Sequence, residues 1–183
     1  HYDVKRKIAC AAAEFVENGE TVLIESGSCC ALLAEELANH KTDVTIVTNS
    51  AFIAGYIRRL PHAKIVLLGG NYQNESQVMV GPITRRCAES FFVDKLFIGT
   101  DGFNEPFGFT GNDYMRAETV RDMAEQASKV VVLTESSKFS HQGVVALLSV
   151  DQIGIVMTDD GIPPEKEAFL KEHNVDVHKV PLD

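Results

Sequence analysis

The feature that most constrains the fold is a series of short, uninterrupted apolar runs separated by segments of helical periodicity. The runs lie at residues 21–24, 44–47, 65–68, 96–98, 130–133, 153–157 and 175–178. Strands that are apolar on consecutive residues are buried on both faces, which is typical of parallel sheets covered by helices. The chain is therefore predicted to have an α/β fold, with a Rossmann-like, mostly parallel sheet and helices on both faces. We expect one domain over residues 1–183.

Local signals predict where several of these elements begin and end. Ser50 and Asp113 are suitable N-caps, and Pro163 with Pro164 predicts the start of a late helix. Residues 100–112 hold three glycines and a proline, which predicts a loop. Three phenylalanines in or near it are expected to be exposed, either as an interface or as a lid over a ligand: Phe103, Phe107 and Phe109.

Charge and cysteine content narrow the classes of partner. The net charge is −9, and most of the acidic excess lies in the second half of the chain. An acidic domain repels nucleic-acid phosphates, so we do not expect this chain to bind DNA by itself.

The four cysteines lack Cys-x-x-Cys spacing, which argues against a metal site and favours a reduced, cytoplasmic protein. No apolar run approaches a membrane span. The chain begins at His1 rather than Met, so we expect a piece of a longer protein.

Small and hydrogen-bonding residues follow five of the predicted strands. They are Ser26, Gly27, Ser28 and Cys29; Thr48, Asn49 and Ser50; Gly69 and Gly70; Asp101 and Gly102; and Lys138. Each turn alone is as consistent with ordinary turn and cap chemistry as with binding. Ligands of open α/β sheets lie beyond the carboxyl ends of the strands, however, and five such turns at one edge favour a binding site there.

The same turns indicate which kind of ligand would bind. The sequence contains no Gly-x-Gly and no P-loop, which argues against nucleotides and leaves no cofactor indicated. A small phosphorylated molecule fits better, with its phosphate at the helix start that follows Ser26. Lys138 is expected to add a positive charge, although an exposed loop lysine is an equally good interpretation of that residue.

In order and spacing, the motifs resemble a known family. They are residues 25–29, 48–50, 69–70, 80–81, 97–102, 117–118 and 135–139. The chain resembles the C-terminal effector domain of DeoR-type transcriptional repressors of sugar metabolism. The resemblance implies a fold similar to ribose-5-phosphate isomerase and CoA transferases. It also implies a homo-oligomer and a winged-helix DNA-binding domain on the N-terminal side, absent from this chain, through which alone the protein would bind operator DNA.

The sequence departs from the family pattern at three positions. The usual Asp-Ser-Gly-Thr-Thr is replaced by residues 25–29, which end in Cys29 rather than threonine. Val120 stands where the family often has a lysine, and Ser140 replaces a glycine. These changes leave the principle of phosphate binding intact, but they affect which effector would be recognised.

Two enzymatic activities are the alternatives to binding. An isomerase would use Asp101 and Glu118 as bases, but no lysine lies between Lys95 and Lys129 to stabilise an enediolate. A CoA transferase would use Glu25 as its nucleophile. Cys29 and Cys30 are expected to be small buried residues rather than nucleophiles.

We therefore expect no catalytic residues and a sensor that binds a phosphorylated sugar. In this interpretation the phosphate lies at Ser26 to Cys29, assisted by Thr48, Asn49 and Ser50. The sugar hydroxyls contact Asp101 and Glu118.

Overall fold

The computed structural model describes all residues, 1–183. The six helices are α1 Tyr2–Ala13, α2 Ser28–His40, α3 Ala51–Ile57, α4 Pro82–Ala88, α5 Tyr114–Ala124 and α6 Pro164–Glu172. The first six strands are β1 Thr21–Ile24, β2 Thr45–Thr48, β3 Lys64–Leu67, β4 Asn71–Gln73, β5 Val78–Val80 and β6 Val93–Ile98. The other six are β7 Gly102–Asn104, β8 Gly108–Gly111, β9 Ala127–Leu133, β10 Val145–Leu148, β11 Ile155–Asp159 and β12 Asp176–Val180. Short 3₁₀ helices occupy Ser136–Ser140 and Val150–Gln152.

The centre of the fold is a seven-stranded sheet in the order β12-β11-β9-β6-β1-β2-β3. Every pairing within it is parallel, so the predicted parallel α/β architecture is confirmed. The central strands β1 and β6 pair with Leu23 opposite Leu96 and Ile24 opposite Phe97.

Both faces of this sheet are covered, as the apolar runs predict. Ile24 packs into a core formed with α1, α2 and α3, while its neighbour Leu23 points into a second core with residues of α4, α5 and α6. Alternation along a strand explains how one apolar run fills two cores, because successive side chains point to opposite faces. No helix is long and apolar enough to cross a membrane.

The predicted helix starts are also confirmed. The Ser50 side chain accepts a hydrogen bond from the Ile53 amide, and Asp113 accepts bonds from Met115 and Arg116. These caps satisfy backbone donors that have no partner within the first turn. Helix α6 begins at Pro164, where a missing amide hydrogen costs nothing.

The loop predicted for residues 100–112 is wrong. This segment forms the hairpin β7–β8, which pairs with β10 in a separate three-stranded antiparallel sheet. Phe103 and Phe109 are buried against Phe139 rather than exposed, and only Phe107, at 62% exposure, lies on the surface. The glycines are typical of a loop, but here they allow close contact between this small sheet and the segment that follows the 3₁₀ helix Ser136–Ser140.

Gly102 shows this close contact directly. A Cβ atom at this position would lie 2.5 Å from the carbonyl oxygen of His141.

We therefore expect Gly102→Ala to destabilise the protein by about 1–3 kcal/mol, because the backbone must move. Gly55, in the middle of α3 with nothing within 4 Å of its Cβ direction, is the matched control. Gly55→Ala should stabilise the protein by about 0.5–1 kcal/mol, through helix propensity. Urea unfolding measures both changes, and an equal effect of the two substitutions would contradict the packing assigned to Gly102.

Candidate functional site

The strand order creates a crevice between β1 and β6. From β1 the chain proceeds outward through β2 and β3, and it then returns to β6 on the other side of β1 before moving outward to β12. The connections after β1 and after β6 therefore leave in opposite directions, and a cleft opens where they diverge. Ligands of open α/β sheets bind at such a topological switch point, so the architecture itself locates the candidate site.

A cleft of about 180 Å³ lies at this point, formed by the ends of three neighbouring strands and by α1. Its lining residues are Lys5, Gly27, Ser28, Cys29, Gly99, Thr100, Asp101, Leu133, Thr134, Glu135 and Lys138. The structure thus brings together five of the residues predicted for the site, from three different turns. Lys5 was not predicted, because nothing in the sequence indicates that α1 passes the carboxyl edge of the sheet.

The turn between β1 and α2 presents the start of a helix to the cleft. Gly27 is the N-cap with φ 109°, a conformation that favours glycine, and no side chain caps the first turn. The amides at the start of a 13-residue helix are therefore available to an anion, and the helix dipole favours negative charge there. The exposed Ser28 adds a hydroxyl beside them.

Charges of both signs line the cleft. Lys138 is half-buried in the 3₁₀ helix after β9 and belongs to none of the ion pairs of the structure, so its charge is free for a ligand. Lys5 lies 3.7 Å from Glu135. Asp101 lies 3.5 Å from Arg116, which is behind it. The cleft can therefore bind an anion at one part and hydrogen-bond donors at another.

Arg116, behind the cleft, is a second residue that sequence reasoning missed. Its Nε and Nη2 atoms donate to both carboxylate oxygens of the fully buried Glu25, at 3.1 and 2.8 Å, and Nη2 also donates to the Gly99 carbonyl oxygen at 3.2 Å. Burial alone would lower the pKa of Arg116. The Glu25 carboxylate and its hydrogen bonds raise the pKa by more than burial lowers it, so the guanidinium stays charged. A search for lysine alone overlooked it, although its place two residues before Glu118 was visible in the sequence.

The Glu25–Arg116 pair joins α5 to the ends of β1 and β6. Glu25 also accepts a hydrogen bond from the Ser26 hydroxyl at 2.7 Å. Its carboxylate is therefore occupied by structural partners, which is unfavourable for a CoA-transferase nucleophile.

Cys29 lies in the cleft but is not a reactive thiol. Burial raises its pKa to about 12, and the neighbouring Glu135 carboxylate adds to the increase. Cys30 is completely buried, and burial raises the pKa of its thiol as well. Both cysteines are buried, as the sequence predicted, and both remain protonated at neutral pH.

The second predicted turn supports the backbone instead of facing the cleft. The buried Thr48 donates to the Glu25 carbonyl oxygen and accepts from the Ser50 amide. Asn49, also buried, donates from Nδ2 to the Met79 carbonyl oxygen at 2.9 Å, while its Oδ1 atom has no partner. These residues fix the end of β2 and its contact with β5.

The remaining predicted residues also lie outside the cleft lining. Gly69 and Gly70 follow the edge strand β3, with Gly69 accepting a hydrogen bond from Thr84. Gly102 is buried in β7, and Glu118 is exposed on α5. The predicted set was too wide because every strand of a parallel sheet ends at the same edge, whereas only the ends of β1, β6 and β9 line the cleft. No group of three or more His, Cys, Asp or Glu side chains is arranged to bind a metal ion.

The buried ion pair predicts a specific pattern of stability. Arg116→Met leaves Glu25 as an unpaired carboxylate in the core, and we expect a loss of about 3–5 kcal/mol. Glu25→Gln combined with Arg116→Met should recover much of this loss, because no unpaired charge remains. Arg86→Met, on the exposed face of α4, is the matched control and should change stability by less than about 0.5 kcal/mol. A loss below 1 kcal/mol for Arg116→Met in urea unfolding would contradict the role of the pair.

The raised pKa of Cys29 predicts how its alkylation depends on pH. An ordinary thiol reaches its maximal rate above its pKa of about 8.5, whereas the Cys29 rate should keep rising roughly tenfold per pH unit from pH 8 to 10. Iodoacetamide labelling followed by site-resolved mass spectrometry measures this, with the urea-denatured chain as the control. A Cys29 rate that levels off near pH 9 would contradict the prediction.

Similarity to known proteins agrees with the fold and with the sequence motifs. Residues 1–160 match the DeoR C terminal sensor domain. The putative aga operon transcriptional repressor of Escherichia coli O157:H7 is 28% identical over 174 residues, which cover 95% of this chain and 64% of that protein. The glycerol-3-phosphate regulon repressor of Escherichia coli (strain K12) is 27% identical over 171 residues, covering 93% of this chain and 68% of that protein. The chain thus spans about two thirds of the length of these relatives.

Among solved structures, ribose 5-phosphate isomerase A from Methanocaldococcus jannaschii superposes with a TM-score of 0.54 at 21% identity, over 75% of this chain and 54% of that chain. This likeness confirms the predicted fold but does not extend to activity. The two relatives are both named as transcriptional repressors, not as enzymes. Because the family match covers most of the chain, this chain belongs to the DeoR C-terminal sensor domain family.

Proposed function

We propose that this chain is the effector-binding part of a transcriptional repressor of carbohydrate metabolism, and that its effector is a small phosphorylated sugar bound in the switch-point cleft. The observation that carries the proposal is the uncapped start of α2, which meets the unpaired Lys138 across a cleft. Two independent sources of positive potential therefore converge on one small volume.

The phosphate would lie at the α2 end of the cleft. The first amides of α2 and the Ser28 hydroxyl supply hydrogen-bond donors, while Lys138 and Lys5 supply charge. A volume of about 180 Å³ is smaller than the ~300–1,000 Å³ of drug-sized pockets, which favours a compact ligand over a nucleotide. One relative is named after a glycerol-3-phosphate regulon, which is consistent with an effector of this class.

The sugar hydroxyls would contact Asp101 at the other end. Its carboxylate is 44% exposed and is oriented by Arg116 behind it, so it retains lone pairs for a ligand. Glu118, on the exposed surface of α5, is not included in this proposed site.

Binding without turnover agrees with the positions of the charged groups. An isomerase needs a base and a cationic or hydrogen-bonding group that both face the substrate. The cation in contact with Asp101, Arg116, is engaged by Glu25 and the Gly99 carbonyl oxygen and does not line the cleft. The two lysines of the lining, Lys5 and Lys138, are assigned to the phosphate in this proposal and not to an enediolate at Asp101.

The role in repression requires partners beyond this chain. With a net charge of −9, the chain is unsuited to binding operator DNA, so we propose that a preceding winged-helix domain does so in the cytoplasm. Paired operator half-sites would call for a homo-oligomer. Effector binding must then stabilise one arrangement of the assembly over another.

Lys138 provides the test of this proposal. We expect isothermal titration calorimetry to show micromolar-to-millimolar binding of at least one pentose, hexose or triose phosphate, and none of the unphosphorylated sugar. Lys138→Ala should weaken binding on the order of tenfold or more, since it removes a charge-assisted contact with the phosphate. Lys171→Ala, near the end of α6 and outside the cleft, is the control and should leave affinity unchanged.

The same samples separate a sensor from an enzyme. NMR spectra of each bound sugar phosphate should remain unchanged over hours of incubation. Conversion near 1 s⁻¹, the low end of common enzyme rates, would overturn the proposal, as would equal affinity for phosphorylated and unphosphorylated sugars.

A further inference from the structure

The cleft contains a carboxylate in the part that the proposed function assigns to an anion. Glu135 lines the cleft together with Lys5 and Lys138, and its side chain is only 13% exposed. A negative charge beside a phosphate site opposes binding, because two like charges a few ångströms apart repel each other at intermediate dielectric. The presence of Glu135 at this position therefore needs an explanation.

The contacts of Glu135 supply one. Its Oε1 atom lies 3.7 Å from Nζ of Lys5, and its Oε2 atom lies 3.2 Å from Nδ1 of the exposed His1. Lys5 lies in the first part of α1 and His1 is its N-cap, whereas Glu135 follows β9. Glu135 thus occupies the position of an anion for Lys5. Lys138, in contrast, has no carboxylate partner.

Polar contacts help to hold the beginning of α1. From Ile8 onward, α1 packs into the core through four buried residues, whereas Val4 is only partly buried against that core and residues 1–3 are exposed. Arg6 contacts Tyr2 and Glu35, and Lys7 donates to the Pro181 carbonyl oxygen. Among the residues of α1, only Lys5 lines the cleft.

We propose that Lys5 and Glu135 form a displaceable ion pair, and that an anionic effector binds by taking Lys5 from Glu135, so that occupation of the cleft is transmitted to α1. The ligand phosphate first meets the unpaired Lys138 and the amides of α2, and it then replaces Glu135 as the partner of Lys5. This inference rests on the proposed function, because it assumes that the ligand is an anion and that it binds in this cleft.

The competition has a measurable consequence for affinity. Neutralising Glu135 frees Lys5 and removes a repulsive charge, so Glu135→Gln should bind inorganic phosphate roughly 5–20-fold more tightly than the wild type. In a Lys5→Met background the gain from Glu135→Gln should be clearly smaller, because only the repulsion is then relieved. Glu172→Gln, at the exposed end of α6, is the matched control and should leave phosphate affinity unchanged.

Titration with inorganic phosphate at constant ionic strength measures these affinities in ¹⁵N-resolved NMR spectra, with the amides of Ser28, Cys29 and Cys30 as reporters. An affinity of Glu135→Gln equal to or weaker than that of the wild type would overturn the inference while leaving phosphate binding in the cleft established. A gain of the same size with and without Lys5 would also overturn it, since Glu135 would then act by repulsion alone. If phosphate shifts none of these amides in the wild type or in Glu135→Gln, the proposed function fails together with the inference.

Hydrogen exchange tests the connection to α1 by a separate route. Without ligand, Glu135→Gln should increase the exchange rates of the amides of Lys5 to Ile8, because the first turn of α1 loses an anchor. Phosphate should restore their protection in Glu135→Gln, since the bound anion again engages Lys5. Exchange rates in α1 that respond neither to Glu135→Gln nor to phosphate would overturn the coupling, whatever the affinities show.

Discussion

The bidentate ion pair between Glu25 and Arg116 is the constraint on which the geometry of the cleft depends. The carboxylate is fully buried, and the guanidinium reaches the end of β1, the Gly99 carbonyl oxygen after β6 and the Asp101 carboxylate. A buried ion pair often contributes little net stability compared with apolar residues of the same size, but loss of one partner is costly. The main effect of the pair is therefore to fix the position of α5 against β1 and β6, since only one arrangement of these elements satisfies both charges.

This constraint also explains why a fold shared with an isomerase serves binding here. Arg116 brings positive charge close to the cleft, yet its donors are already directed to Glu25 and Gly99. What remains for a ligand is an acceptor at Asp101, donors at the start of α2 and the ammonium groups of Lys5 and Lys138. In the proposed function this set binds a phosphate and hydroxyl groups, and both lysines are placed at the phosphate and not where a proton would be transferred.

The sheet was predictable because its signal is local. Each apolar run of a doubly covered strand is visible without knowledge of its neighbours, and the caps at Ser50 and Asp113 are one-turn interactions. The hairpin at residues 102–111 was not predictable in the same way. Its glycines have the composition of a loop, and their purpose, close contact with a distant segment at His141, is set by tertiary packing.

The residues of the candidate site likewise fall into those that local sequence predicts and those that only tertiary packing brings together. Residues of the turns after β1, β6 and β9 were found because they follow strands directly. Strand order cannot be read from the apolar runs, so the sequence does not distinguish the turns after β2 and β3 from those after β1, β6 and β9, which line the cleft. Lys5 and Arg116 reach the region from helices, and only the packing of α1 and α5 brings them there.

The three-stranded sheet has a consequence for the position of Lys138. Phe103 and Phe109 pack against Phe139, which is the residue after Lys138, and the Phe103 amide donates to the His141 carbonyl oxygen at 2.8 Å. The hairpin thus supports, from behind, the short helix that carries the free lysine. Changes in the length of the hairpin or in its phenylalanines would move the side chain of Lys138, although every residue of the cleft lining stays the same. In the proposed function, ligand preference would then depend also on a part of the molecule that lies outside the cleft lining.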